Sequence, residues 1–360
     1  MVKKFVYGTP FETEAVVKEI PSSEGNPDYG TFSTENGFSF TTKLADEDMV
    51  FGLGEANRGI NKRGFLYISD CADDPNHVES KTSLYAAHNF IIISGKTHVG
   101  FFFDYPGTLR FDIGYTTSDT MTVSCENADL YVYMITGDSD LDIVKQFRGI
   151  IGRSYIAPKF AFGYGQSRWG YKTEDDFRTV VKKYRENHVP LDMVYMDIDY
   201  MQDYKDFTVN EERFPDFEGF VQDMKKEKIH LVPIIDAGVK VEEGYDIYEE
   251  GCEKGYFCRR EDGSYFEATV WPGWTHFPDV LNADARKWFG DKYDVLVSKG
   301  IDAFWNDMNE PSIFYSQEGL ADFKETAKKY VEGDPEVPHY MVGGKLQALA
   351  NNHEDYKRFY

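Results

Sequence analysis

The stretch Ala303-Phe304-Trp305-Asn306-Asp307-Met308-Asn309-Glu310-Pro311 drives an apolar run directly into acid, amide and tryptophan side chains. A strand sends alternate side chains to one face. Ala303, Trp305 and Asp307 are therefore expected to point the same way, with a flat aromatic wall beside a carboxylate at the strand's end. A tryptophan face suits the C–H-rich side of a pyranose, and an ionised carboxylate can attack or stabilise an anomeric carbon with oxocarbenium character. The same residues would also suit a buried strand that ends in a polar turn.

Three earlier runs share the design of an apolar body and a polar exit. Phe160 to Gln166 leads into Ser167-Arg168-Trp169-Gly170-Tyr171, Leu191 to Tyr195 into Met196-Asp197-Ile198-Asp199-Tyr200, and Ile229 to Ile235 into Asp236-Ala237-Gly238. Amphipathic stretches separate them. Phe177, Val180, Val181 and Tyr184 have the spacing of one helical face. Thr173 before Glu174, Asp175 and Asp176 supplies a cap and an acidic first turn. A second helix carries Phe217, Phe220, Val221 and Met224, and a third, from about Asn282 to Ser298, carries Trp288, Phe289, Tyr293 and Leu296 before Gly300. Strands that alternate with helices predict a parallel sheet, and polar residues at the carboxyl ends of such strands are the habit of a (β/α)8 barrel.

Upstream the pattern changes. From about residue 30 to 137 it consists of short, turn-bounded strands, such as Leu109, Phe111, Ile113 and Tyr115 alternating with Arg110, Asp112 and Gly114. The expected fold is α/β: an antiparallel β-sandwich over residues 1–137, a linking helix within 138–157, and the first half of a TIM barrel with a tail over 158–360. A whole barrel needs about 250 residues, so the reading implies that a further stretch closes the barrel and supplies its missing half.

Composition sets the outer bounds. A net charge of -23 and a pI near 4.7 oppose nucleic acid and anionic membranes as partners, because phosphate binding requires clustered Lys and Arg. Aromatic content of 16% agrees with carbohydrate surfaces and equally with a β-rich core. Cys71, Cys125, Cys252 and Cys258 make neither a disulfide framework nor zinc-ligand spacing, so reduced thiols and no metal or cofactor are expected. With no apolar stretch after Lys3 and Lys4 and no membrane-length apolar run, the expected location is the cytoplasm.

The motifs Gly163 to Tyr171, Tyr195 to Tyr200, Ile234 to Gly238, Trp271-Pro272-Gly273 with Phe277-Pro278-Asp279, and Trp305 to Pro311 occur in one order. In that order the chain resembles the family 31 glycoside hydrolases, the α-glucosidase and α-xylosidase group. Phe51-Gly52-Leu53-Gly54-Glu55 resembles a motif of that family's N-terminal sandwich, and Ala237 departs from the proline many members carry, a loop variation.

The resemblance implies retaining hydrolysis by two carboxyl groups, with Asp307 as nucleophile. Asp197 would grip sugar hydroxyls and Asp236 would form the pocket floor. Trp271 and Trp305 would wall the sugar and Trp169 would border the leaving group, while Ile198 and Met308 complete the implied set of substrate contacts. Asp73 or Asp74, in the loop from Ser69 to Pro75, would reach the aglycone side. The acid/base partner is implied on a later barrel segment, with no substitute in this chain. The expected substrates are small α-1,4- or α-1,6-glucosides, with an α-xylosidase or an incomplete sugar-binding fragment as alternatives. A metal-dependent barrel is a rival, because Asp197, Asp236 and Asp307 end successive strands as magnesium ligands do in some barrels.

Overall fold

The structure, a computed structural model, describes residues 1–70, 77–309 and 312–332. The chain divides into two compact units, Met1–Ile156 and Ala157–Tyr360.

The first unit contains ten strands: β1 (Val2–Tyr7), β2 (Thr31–Ser33), β3 (Phe38–Lys43), β4 (Met49–Gly52), β5 (Phe65–Ser69), β6 (Phe90–Ser94), β7 (His98–Asp104), β8 (Leu109–Ile113), β9 (Thr120–Cys125) and β10 (Leu130–Gly137). They form two five-stranded sheets, β1-β10-β7-β6-β4 and β2-β3-β9-β8-β5, with antiparallel pairing throughout. The period-2 pattern of β8 buries Leu109, Phe111 and Ile113 completely. These side chains meet Phe101, Phe103, Val50 and Val132 of the other sheet in one core, with the Phe40 and Phe101 rings 4.6 Å apart, so the two sheets form a sandwich. Tyr115, expected on this strand, is exposed instead. Gly114 takes φ +68 and turns the chain out of the sheet before it.

Helix α1 (Asp140–Ile151) starts at Ser139, whose side chain accepts from the Asp142 N–H. It packs Ile143 and Ile150 against the outer face of the first sheet, and Phe147 stacks on Phe90 at 3.8 Å. Its burial therefore belongs to the sandwich.

The second unit is built on β11 (Gly165–Gln166), α2 (Glu174–Glu186), β12 (Met193–Met196), α3 (Phe217–Lys226) and β13 (His230–Asp236). It continues with β14 (Val239–Lys240), α4 (Asp246–Lys254), β15 (Ala268–Val270), β16 (Gly273–His276), α5 (Ala283–Lys292), α6 (Asp294–Val297), β17 (Trp305–Asp307), β18 (Tyr315–Ser316) and α7 (Gln317–Val331). Strands β11, β12, β13 and β17 pair in that order, all parallel, as in half of a (β/α)8 barrel. Phe177, Val181, Phe220, Val221 and Met224 of α2 and α3 pack with Val194, Met196, Leu231 and Ile234 in one core. Thr173 and Asp176 close a reciprocal capping box at the start of α2. Thr173→Ala is expected to lower stability by about 1 kcal/mol, read as a fall in the thermal midpoint with unchanged helix content.

Three departures from the periodic reading have local causes. The first barrel strand is only two residues long, because Lys159–Phe162 forms a 3-10 turn in place of a strand. The helix expected over 282–298 is interrupted at Tyr293 between α5 and α6. Residues after β13 form a separate antiparallel sheet, β14-β16-β15-β18, which the alternation of strands and helices did not foretell.

Candidate active site

Register brings the acids together. Asp236 and Asp307 are direct partners across β13 and β17, and adjacent strands lie about 4.8 Å apart. Met196 partners Pro233, so Asp197 follows at the next level along the neighbouring strand. Trp305 partners Ile234 two residues earlier, and its ring meets Tyr195 edge-on at 6.2 Å. Asn306 takes the alternate direction, where its Oδ1 accepts from the Tyr293 hydroxyl at 2.7 Å. The alternation expected of this strand is present from Trp305 onward.

Each carboxyl group has a distinct environment. Asp236 is 2% exposed and neither of its oxygens has a hydrogen-bond partner. Burial pushes it up from the ordinary 3.8 to about 7, and the charges of Asp307 and Asp197 add to the effect. Asp197 is half-buried and caps the short turn Ile198–Tyr200, its Oδ1 accepting from the Ile198 N–H at 2.8 Å. It is raised by burial first and then by Asp307 and Asp199, a shift opposed by that hydrogen bond. Asp307 is half-buried at the strand's end. Met308, next in the chain, takes φ +58, a left-handed conformation costly for a side chain of this size, and turns the backbone away directly after the carboxylate.

Trp169, in the turn after β11, is 64% exposed, and Trp271, between β15 and β16, is 42% exposed. Their rings stack at 6.4 Å with 30° between planes, and Phe314 meets Trp271 edge-on at 5.0 Å. Two surfaces of indole left in solvent and held by other rings suit the apolar face of a sugar. The small antiparallel sheet is what holds Trp271. Its signal in the sequence is the run Ala268-Thr269-Val270 before the Pro272-Gly273 turn, three residues too short to stand out by periodicity.

The remaining candidates are less open. Ile198 lies in the core of the second unit, and Met308 packs with Phe266, Ala268 and Ile313. Trp288 is buried against Tyr256 and Phe257, in line with helix packing. His230 stacks on Phe160 at 3.5 Å and its Nδ1 lies 3.0 Å from Asp302, at the opposite end of β13 from Asp236. Asp73, Asp74 and Glu310 lie outside the described residues. Among the described residues no three His, Cys, Asp or Glu side chains are grouped to hold a metal ion. No helix among the described residues is long and apolar enough to cross a membrane.

The periodic pattern did not reveal what supports the acids. Tyr200 is fully buried, and its hydroxyl donates to the Ile234 carbonyl oxygen at 2.8 Å. Burial and the nearby acids Asp206 and Asp236 hold this phenol well above its ordinary range, so it stays a donor. Tyr200→Phe keeps the ring and removes the donor, with an expected loss of about 1–2 kcal/mol, measurable by urea unfolding.

Residues 154–358 match the family model described as "Glycosyl hydrolases family 31 TIM-barrel domain", and residues 11–112 match the "Glycosyl hydrolase 31 N-terminal galactose mutarotase-like domain". Alpha-glucosidase 2 of Bacillus thermoamyloliquefaciens is 38% identical over 277 residues, which is 76% of this chain and 35% of that protein. An alpha-glucosidase of Saccharolobus solfataricus is 26% identical over 358 residues, 96% of this chain and 51% of that protein. The chain thus spans about a third to a half of the length of these curated relatives. A family 31 dextranase of Flavobacterium johnsoniae, solved with isomaltotriose, shares the fold with a TM-score of 0.72 at 23% identity, over 80% of this chain and 36% of that one.

Proposed function

From the premise that this chain belongs to glycosyl hydrolase family 31, we propose that it carries the nucleophile side of a retaining α-glucosidase that releases terminal glucose from small α-glucosides. The observation that supports this reading most directly is the pairing of Asp307 with Asp236 at the carboxyl ends of neighbouring parallel strands, with Asp197 directly after the last paired residue of the adjoining strand. The alpha-glucosidase relatives supply the substrate class.

In this reading Asp307, half-buried, attacks the anomeric carbon and holds the glycosyl ester until water replaces it. Asp197 and Asp236 accept hydrogen bonds from sugar hydroxyls. The two oxygens of Asp236 without partners are suited to that task, because a buried carboxyl group gains from each donor that arrives. Trp271 and Trp169 present exposed rings to the sugar and to the leaving group, and Trp305 on the strand of Asp307 adds a further wall to the sugar.

The test uses 5-fluoro-α-glucosyl fluoride, whose fluoride departs without a proton donor, so the reaction reads the nucleophile alone. Intact mass should rise by one 5-fluoroglucosyl group, and peptide mapping should locate it on Asp307. A folded protein that takes no label, or takes it at another residue, refutes the assignment. The corresponding xylosyl fluoride separates glucose from xylose preference by the ratio of labelling rates.

A further inference from the structure

Strand β12 ends at Met196 opposite Pro233, yet β13 continues three residues further to Asp236. β17 pairs with one edge of that extension, and the backbone groups on the β12 side must find other partners, because a buried amide or carbonyl left alone is costly. The Ile234 carbonyl is taken by Tyr200, as described above. The Asp236 N–H donates to Asp206 Oδ1 at 2.9 Å. Asp206 is 1% exposed and its Oδ2 has no partner.

Asp206 is itself firmly held. Its own carbonyl oxygen accepts from the Tyr245 hydroxyl at 2.8 Å. The next residue, Phe207, is buried against Phe289 and Tyr293 at 5.1 and 5.3 Å. The loop around it is tied by Thr208, whose hydroxyl donates to the Lys205 carbonyl at 2.6 Å and accepts from the Gln202 N–H at 2.9 Å. Lys205, the nearest cation in sequence, pairs with Glu242 at 2.7 Å.

We infer that Asp206 is a positioning residue: its carboxyl group replaces the departed strand at the Asp236 N–H and so fixes where the Asp236 side chain points. The inference rests on the sugar-site reading for its consequence, though not for the contact itself. An ionised group here would set a further negative charge beside Asp236 and near the phenols of Tyr200, Tyr245 and Tyr293. Burial, followed by the Asp236 charge, raises Asp206 well above the carboxylate range, so it serves as an uncharged acceptor. Asparagine offers the same carbonyl oxygen in the same shape, whereas leucine fills the space with no acceptor.

The experiment compares the wild-type chain with Asp206→Asn, Asp206→Ala and Asp206→Leu, each checked for folding by circular dichroism. The first readout is hydrogen exchange at the Asp236 amide, resolved by fragmentation mass spectrometry. The second is the rate of Asp307 labelling by 5-fluoro-α-glucosyl fluoride. Asp206→Asn should keep both within about twofold of wild type, while Asp206→Ala and Asp206→Leu should speed exchange and slow labelling by about tenfold or more. Exchange at Asp236 that is unchanged in a folded Asp206→Ala or Asp206→Leu protein overturns the inference. So does a folded Asp206→Asn protein whose Asp236 amide exchanges about tenfold or more faster than wild type, and this comparison with wild type remains decisive if the apolar variants do not fold. A wild-type chain that takes no label counts against the sugar-site reading, and the exchange arm still judges Asp206.

Discussion

Asp307→Asn is expected to abolish covalent labelling by 5-fluoro-α-glucosyl fluoride, slowing it by about 10⁴-fold or more, while leaving the fold in place. Asparagine matches the carboxylate in shape, and Asp307 is half-buried at a strand end and outside the packed cores, so its replacement removes no packed volume. Removal of the attacking oxygen, by contrast, takes away the covalent route. Four orders of magnitude correspond to about 5.5 kcal/mol of transition-state stabilisation. Labelling rates read by intact mass, with thermal melts of both proteins, check the prediction. A variant that keeps more than about a tenth of the wild-type labelling rate would assign the nucleophile elsewhere.

The second large effect is on stability, and it runs opposite to ordinary acid denaturation. Asp236 is raised from 3.8 to about 7 in the folded chain by burial first, then by Asp307 and Asp197. The native state therefore binds this proton more tightly than the unfolded state. The contribution to stability is fully present below about pH 4 and is lost as pH rises through about 7. A shift from 3.8 to about 7 is worth on the order of 4 kcal/mol. Asp236→Asn should remove most of this slope, leaving the variant more stable than wild type at pH 8 and close to it at pH 4. Urea unfolding of both proteins across that range measures it, and parallel stability curves would refute the assignment. A sugar whose hydroxyls bond to the Asp236 oxygens should recover part of the loss above pH 7, because ligand that binds only the folded state stabilises it.

These two predictions concern one design. In the proposed reading, the same burial that destabilises an ionised Asp236 would make it a strong acceptor for a sugar hydroxyl, a trade of stability for binding. Asp206 and Tyr200 carry the other half of that design. They hold the end of β13 by side chains on the edge where β12 has ended, while β17 pairs with the other edge.

Much of this was legible in the amino-acid sequence. Helical spacing placed Phe177, Val181, Phe220 and Met224 in the core of the second unit, and period-2 alternation did the same for Leu109, Phe111 and Ile113 in the sandwich. Those patterns are local consequences of covalent geometry, since 3.6- and 2-residue repeats determine which side chains share a face. The order of strand, helix and acidic exit was enough to put Asp197, Asp236 and Asp307 at one end of a parallel sheet.

Register and burial were decided only in three dimensions. That Asp236 lies opposite Asp307 follows from how β13 and β17 dock, a choice made by the packing of Phe217, Trp288, Leu296 and their neighbours together with the backbone ladder. The small sheet that holds Trp271 pairs Ala268 with Ser316, residues 48 positions apart in the numbering, and no local repeat records such a partner. The role of Asp206 was hidden for the same reason. In the sequence it is one acid among 62 Asp and Glu residues, and only the early end of β12 leaves the Asp236 amide free to claim it. A side chain's neighbours across a fold are set by the sum of many weak contacts, whereas its neighbours along a helix or strand are set by the chain itself.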